Sequence, residues 1–244
     1  HTGSAHDVIH WYPAELRAKA RALLDEAAAK TGDDIYGQRV EAFRGTFDFT
    51  DALVRMIEFR AAHRYEAAAD ELRKMRGLID RLSKLDPPML HARYSHDYLN
   101  RFFAPATEQA AERVTGGNRF AAGLADEWKF LIDHEGVGEV LGYWRPELTG
   151  GNWRSVRTST TSWSNIGLRY YMKKPAWYRQ QVKIPDAVRG KPVRLWFGGV
   201  DDAATVWVNG VEVGSTAGAF KPFEFDVSEQ VRPGEDNVVV VKVT

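Results

Sequence analysis

Seven of the eight tryptophans of this chain (Trp128, Trp144, Trp153, Trp163, Trp177, Trp196 and Trp207) lie beyond residue 125, and only Trp11 lies before it. Alanine is biased the other way, with runs at Ala27-Ala28-Ala29 and Ala67-Ala68-Ala69. Alanine favours helix, whereas aromatic and β-branched residues favour pleated, half-buried surfaces. The split therefore predicts two modules within the 244 residues, helical first and strand-rich second. The expected division is a terminus over 1–12, a helical domain over 13–123 and a β domain over 124–244. Neither module is large enough for a (β/α)₈ barrel, which takes about 250 residues.

Charge and cysteine content narrow the function classes. Lysines and arginines number 33 against 33 acidic residues, and the balance holds in each half. Nucleic-acid binders normally carry a basic surplus, so none is expected as a partner. With no cysteine, a disulfide scaffold and a thiolate metal site are both excluded. Apolar runs fall far short of the roughly 20 residues of a membrane helix. His1 stands where a Met would start a chain, so a portion of a longer protein is expected, and no signal peptide is visible.

The first half reads as helices. Pro13 suits a first turn, and Leu16, Ala20, Leu23, Leu24 and Ala27 follow at helical spacing, with Gly32 as a stop. A second helix is predicted over 36–63, with Phe43, Phe47, Val54 and Ile57 on one face and Phe49, Leu53 and Met56 widening it. A third, over 65–85, carries Ala68, Leu72, Met75, Ile79 and Leu82 and is ended by Asp86-Pro87-Pro88. A fourth spans 91–103, and Pro105 opens a short fifth. Short connections favour antiparallel neighbours, hence a small antiparallel bundle.

The second half reads as strands over 176–184, 192–197, 204–208, 211–213, 223–227 and 238–243, with two more at 128–133 and 153–158. Asn209-Gly210 marks a hairpin, because a type I′ turn needs positive φ at both central positions. Short strands at this spacing predict an all-β sandwich. The run Val238 to Val243 is apolar on both faces, and left unpaired it would invite aggregation.

Order and spacing in this half carry a resemblance. Ala176-Trp177-Tyr178-Arg179 is followed by Val193-Arg194-Leu195, then by Phe197-Gly198-Gly199-Val200-Asp201-Asp202 running into Val206-Trp207-Val208-Asn209-Gly210. Phe220-Lys221-Pro222-Phe223-Glu224-Phe225-Asp226 and Val238 to Val243 complete it. From about Glu127 onward the chain resembles the galactose-binding-like jelly roll of glycoside hydrolases, above all the sugar-binding domain of the family 2 β-glycosidases. The helical half, on Tyr12-Pro13, Phe43, Phe47 and Phe49, resembles the helical region after the barrel in bacterial polysaccharide-degrading enzymes of the α-glucuronidase type. The resemblance implies an α+β chain in two domains, an antiparallel α-helical bundle followed by a jelly-roll sandwich. It further implies the non-catalytic C-terminal portion of a secreted or periplasmic glycoside hydrolase, with a catalytic barrel upstream. In such enzymes the acid of the Gly-Val-Asp motif approaches the sugar site of the barrel, a role that falls on Asp201, with Asp202 beside it. An independent carbohydrate-binding module and a purely structural interdomain module remain alternatives, since one fold serves many functions.

Read for chemistry, the residues offer sugar contacts before catalysis. Glycosidases use two carboxylates about 5–5.5 Å or about 6.5–9.5 Å apart, according to stereochemical outcome. Glu127, Asp133 and Glu135 are expected to be solvated charges at a strand edge, and no catalytic residue is assigned. No cofactor is expected. Asp133-His134-Glu135-Gly136 is the one stretch where loop oxygens suit a structural calcium ion. His91 and His96, five apart, do not share a helix face as a metal pair would. Aromatic rings stack on the apolar faces of sugars, and charged or amide groups satisfy hydroxyls. Trp163, Arg169 and Tyr170, in a polar Ser/Thr/Asn-rich stretch, are the candidates for carbohydrate contact together with Asp201 and Asp202. Trp163 is equally suited to the core, and Asp201 to a turn.

Overall fold

The computed structural model describes residues 11–85, 88–148, 150–158, 163, 167–168 and 174–244. The chain divides into two compact units between Asn118 and Arg119.

The first unit holds α1 (Ala14–Ala29), α2 (Ile35–Ala61), α3 (Tyr65–Leu82), α4 (Ala92–Phe102) and α5 (Ala104–Thr115). Asp34 starts α2 by accepting from the Tyr36 and Gly37 amides, which would otherwise be unpaired at the helix end. His91 does the same for α4 through Nδ1 and Tyr94 N–H, so its ring is occupied in capping. His96 turns instead to Asp80, 2.8 Å away. In α3 the predicted stripe is buried as read: Ala68, Leu72, Met75, Ile79 and Leu82. It meets Ala52, Leu53, Met56 and Ile57 of α2 and Leu99, Phe103 and Ala104 in one core. The helix ends at Leu82, three residues before the predicted boundary, and Asp86 and Pro87 of the expected stop lie outside the described residues.

α1 departs from its predicted face. Its buried side chain is Arg17, while Leu16 and Leu23 are 46% and 58% exposed. Arg17 donates to Asp51 at 3.0 Å and to Glu58 at 2.6 Å, and Arg21 reaches Asp48 at 2.9 Å and Asp51 at 3.2 Å. An alanine-rich helix has little apolar contrast between its faces, so the acids along α2 decide which side of α1 docks. Phe43 of α2 is likewise exposed, and α2 buries its C-terminal half instead.

The second unit holds β1 (Glu127–Ile132), β2 (Arg154–Arg157), β3 (Ala176–Lys183), β4 (Arg194–Phe197), β5 (Ala203–Val208), β6 (Val211–Ala217), β7 (Phe223–Asp226) and β8 (Asp236–Val243). Six strands form one sheet in the order β2-β1-β3-β8-β5-β6, and β4 pairs with β7 in a second. Every pairing is antiparallel. Asn209 (φ 50°) and Gly210 (φ 84°) supply the two positive φ values of the β5–β6 turn.

The last strand is not an edge: β8 lies between β3 and β5, paired on both sides. Its continuous apolar run follows from this position, because both faces of the large sheet are covered. Val239, Val241 and Val243 join Trp128, Phe130 and Val206 in the core against which Leu195, Phe197, Phe223 and Phe225 of the small sheet pack. Val240, Trp177 and Trp207 face the other way, into a cluster closed by Leu131, Tyr143, Trp144 and Trp153. Four of the seven later tryptophans, Trp144, Trp153, Trp177 and Trp207, thus fill a layer outside the sheet pair.

Candidate functional site

The outer aromatic layer is fixed by a buried carboxylate. Asp133, directly after β1, is 4% exposed rather than the solvated edge charge its sequence context suggested. One oxygen accepts from Val137 N–H at 3.0 Å, and the other from Gly138 N–H at 2.8 Å and the Trp177 indole at 3.2 Å. A side chain on Gly138 would lie 2.4 Å from that indole nitrogen, so glycine is needed for the approach. Burial opposes the charge, but the donors of Gly138, Trp177, Val137 and Gly136 together outweigh it and hold the carboxyl below the usual carboxylate range. Both oxygens of the residue singled out for calcium therefore already accept from N–H donors. Among the described residues no group of three or more His, Asp or Glu side chains is arranged to hold a metal ion.

From this anchor the chain runs across the outer face of the large sheet. Tyr143 stands edge-on to Trp177 (centroids 5.7 Å) and to Trp153 (6.1 Å). Trp144 donates from its indole to the Glu139 carbonyl at 3.2 Å, and Glu139 pairs with Lys242 of β8 at 2.8 Å. The next turn is pinned by Arg179, whose guanidinium donates to the carbonyls of Arg145 (2.8 Å) and Pro146.

Two clefts flank this segment. One, of about 580 Å³, opens between Trp144, Arg145, Glu147, the Asn209–Gly210 turn and Arg232. Its walls share one amide network. Asn237, 1% exposed, accepts from Arg232 N–H at 2.7 Å and from Asn209 Nδ2 at 2.7 Å, and donates to the Arg232 carbonyl at 3.0 Å. Asn209 also donates to the Gln230 carbonyl and accepts from Val238 N–H, so its amide is wholly committed to the fold. The other cleft, of about 510 Å³, lies over the sheet face where Lys129 and Arg179 stand opposite each other across β1 and β3, with Glu127 and Gln181 beside them.

Of the residues predicted for sugar contact, the described ones, Trp163, Asp201 and Asp202, line neither cleft. The half-buried Trp163 turns toward the sheet core, its indole donating to the Tyr178 hydroxyl at 2.7 Å and its ring edge-on to Phe130 at 6.0 Å. Asp201 and Asp202 are exposed, at the start of β5; the peptide between them is cis, and the Asp202 carbonyl accepts from Gly218 N–H at 2.8 Å. They are separated from the Asn209–Gly210 turn by the length of β5, roughly 20 Å for a strand of this size. Arg169 and Tyr170 lie outside the described residues. Arg145 and Arg232, which do share a cleft, carry no local sequence signal; only the Trp144-Arg145-Pro146 stretch, rich in turn and aromatic character, marks their neighbourhood.

Comparison with known proteins agrees with the architecture of this unit. Residues 157–244 match the family model described as glycosyl hydrolase 2 galactose-binding domain-like. The beta-glucuronidase of Formosa agariphila is 28% identical over 138 residues, covering 54% of this chain and 14% of that protein. The beta-glucuronidase of Paenibacillus borealis is 43% identical over 67 residues, 28% of this chain and 11% of that protein. The beta-galactosidase of Thermoanaerobacter pseudethanolicus is 41% identical over 69 residues, 28% of this chain and 9% of that protein. The chain thus spans a small fraction of the relatives it matches. Among solved structures, the beta-glucuronidase from Ruminococcus gnavus in complex with D-glucaro 1,5-lactone aligns with a TM-score of 0.42 at 25% identity, over 52% of this chain and 22% of that one. Residues 157–244 are similar to the glycosyl hydrolase 2 galactose-binding domain-like family, and the chain is similar to short parts of beta-glucuronidases and beta-galactosidases.

Proposed function

We propose that this chain is a non-catalytic portion of a secreted or periplasmic polysaccharide-degrading glycoside hydrolase. In this reading a helical bundle and a jelly-roll sandwich together support a catalytic barrel carried elsewhere in the parent protein. The galactose-binding-like match over residues 157–244 carries the proposal. The geometry of the clefts supports it. Hydrolysis of a glycosidic bond by the usual route needs two carboxylates facing one site. The larger cleft offers only Glu147 and the smaller only Glu127. Asp133 is unsuited to proton transfer, being buried against N–H donors that favour its charged form. No helix among the described residues is long and apolar enough to cross a membrane.

The test is enzymatic. The 244-residue chain should release no p-nitrophenol from p-nitrophenyl β-D-glucuronide or β-D-galactoside. The parent protein lacking residues 124–244 should lose activity together with thermal stability. Turnover by the isolated chain would overturn the non-catalytic assignment, and an unaltered parent after the deletion would overturn the supporting role.

A further inference from the structure

We propose that the cleft between the 144–147 segment and the Asn209–Gly210 turn binds an anionic sugar, a glycan unit bearing a carboxylate or a sulfate ester, with Arg145 and Arg232 as its charge partners.

The chemistry left facing the cleft is mainly cationic. Asn209 lines it, but its amide is engaged by Gln230, Asn237 and Val238. The polar groups remaining for a ligand are the exposed side chains of Arg145, Arg232 and Glu147. Within the described residues neither guanidinium has an ion-pair or hydrogen-bond partner; Arg145 rests its Cζ 5.3 Å from the Trp144 ring centroid. Glu147 lines the same cleft and favours the charge of Arg179, so two guanidinium groups stand there against one carboxylate. Two planar guanidinium forks suit a carboxylate or sulfate, which each can grip through two oxygens.

The backbone around the cleft is fixed by hydrogen bonds. Arg232 is held by its own backbone, with N–H and carbonyl both bonded to the buried Asn237 side chain. Arg145 is held by Arg179 through the carbonyls of residues 145 and 146. The turn between them is locked to the same Asn237. A side chain on Gly210 would come within 2.8 Å of Pro146 Cδ, so the turn and the 144–147 segment are already in close contact. The site is therefore preformed, and binding orders little beyond two side-chain ends.

The size and lining of the cleft favour a sugar among anions. At about 580 Å³ it is large enough for one or two sugar rings. Pro146 and the edge of the Trp144 ring, which Arg145 covers on one face, supply an apolar wall beside a pyranose. Residues 124–244 carry 15 basic against 15 acidic residues, so this half lacks the broad positive field that a nucleic-acid backbone requires. The assignment deepens the accessory reading by giving it a ligand class, and it does not depend on the contact with a barrel.

The experiment is a calorimetric titration of the whole chain with three oligosaccharides of equal length: an oligouronate, a sulfated oligosaccharide and a neutral one. The indole resonance of Trp144 is followed in parallel by ¹H–¹⁵N NMR. At least one anionic ligand should bind, weaken with added NaCl and shift that resonance, and the neutral ligand should not. Binding by one anion alone identifies its charged group. The Arg145→Gln/Arg232→Gln variant should lose at least tenfold in affinity at an unchanged melting temperature, since both side chains are exposed. Equal binding of the neutral ligand, unchanged affinity in the double variant, or no binding by any of the three would overturn the proposal. None of these results bears on the hydrolysis and deletion assays, so the two readings fail separately.

Discussion

The two units bury polar groups by different means. In the helical unit the buried charges pair with other side chains: Arg17 with Asp51 and Glu58, and Glu71 with Arg55 at 3.0 Å. In the sheet unit the buried polar side chains bond mainly to backbone: Asp133 to two amides, Gln180 to the carbonyls of Ala125 and Glu127, and Asn237 to Arg232 and Glu235. Helices satisfy their own main chain, so what remains to be matched between them is side-chain charge. Strands joined by long crossings leave loop amides and carbonyls unpaired, and buried side chains must complete them. Polar burial therefore orients helices in one unit and fixes loops in the other, and it is fixed loops that make clefts.

Three substitutions would break or sharpen this contrast. The largest effect is expected at Asn237, where replacement by Ala strands the Arg232 amide and two carbonyls. A loss of about 3 kcal/mol in urea unfolding follows from leaving several buried groups unpaired. Because the residue holds two walls of the larger cleft, Arg232 and the Asn209–Gly210 turn, the Trp144 indole resonance should move as well.

Asp133→Asn should cost about 2 kcal/mol near neutral pH, since a charged acceptor becomes a neutral one with an NH₂ facing N–H donors. Its pH signature is distinctive. The folded carboxyl sits below its unfolded value of about 3.9. The unfolded chain thus takes up the proton first on acidification, and the stabilisation, complete above about pH 4, is lost as pH falls through the lower folded value. Thermal melts from pH 6 down to pH 2 should show a steeper acid loss in wild type than in Asp133→Asn, and parallel curves would refute the assignment.

The smallest net effect is expected from the helical unit. Arg17→Leu alone leaves Asp51 with Arg21 as its remaining partner and should cost about 1–2 kcal/mol. Arg17→Leu combined with Asp51→Leu should recover most of that loss, because apolar packing commonly replaces a buried ion pair without penalty. A double-mutant cycle by chemical denaturation measures the coupling. A double variant less stable than the sum of its parts would show that the pair is not replaceable.

Much of the secondary structure was legible in the residues, for local reasons. The Ala68–Leu72–Met75–Ile79–Leu82 spacing commits α3 to one buried face, and Asn209–Gly210 commits β5 and β6 to a tight turn. The docking of α1 was not legible, because Leu16 and Leu23 have the right spacing while the acids that capture Arg17 and Arg21 lie on another helix. The candidate site was the least legible. Trp163 looked available in a polar stretch, yet its indole bonds to Tyr178 beside the core. Asp133 looked solvated because the amides that enclose it belong to a loop whose path depends on Trp177.

Local pattern alone marked out a helical and a strand-rich half, the Asn209–Gly210 hairpin, the buried stripe of α3 and the resemblance to the family 2 sugar-binding domain. These rest on periodicity, composition and turn chemistry, which act over a few residues. Only the tertiary structure decided that β8 is central, that Arg17 is buried and that Arg145 and Arg232 face one cleft. Such facts depend on which distant segments meet, and a buried amide such as Asn237 brings them together through bonds that no local pattern announces.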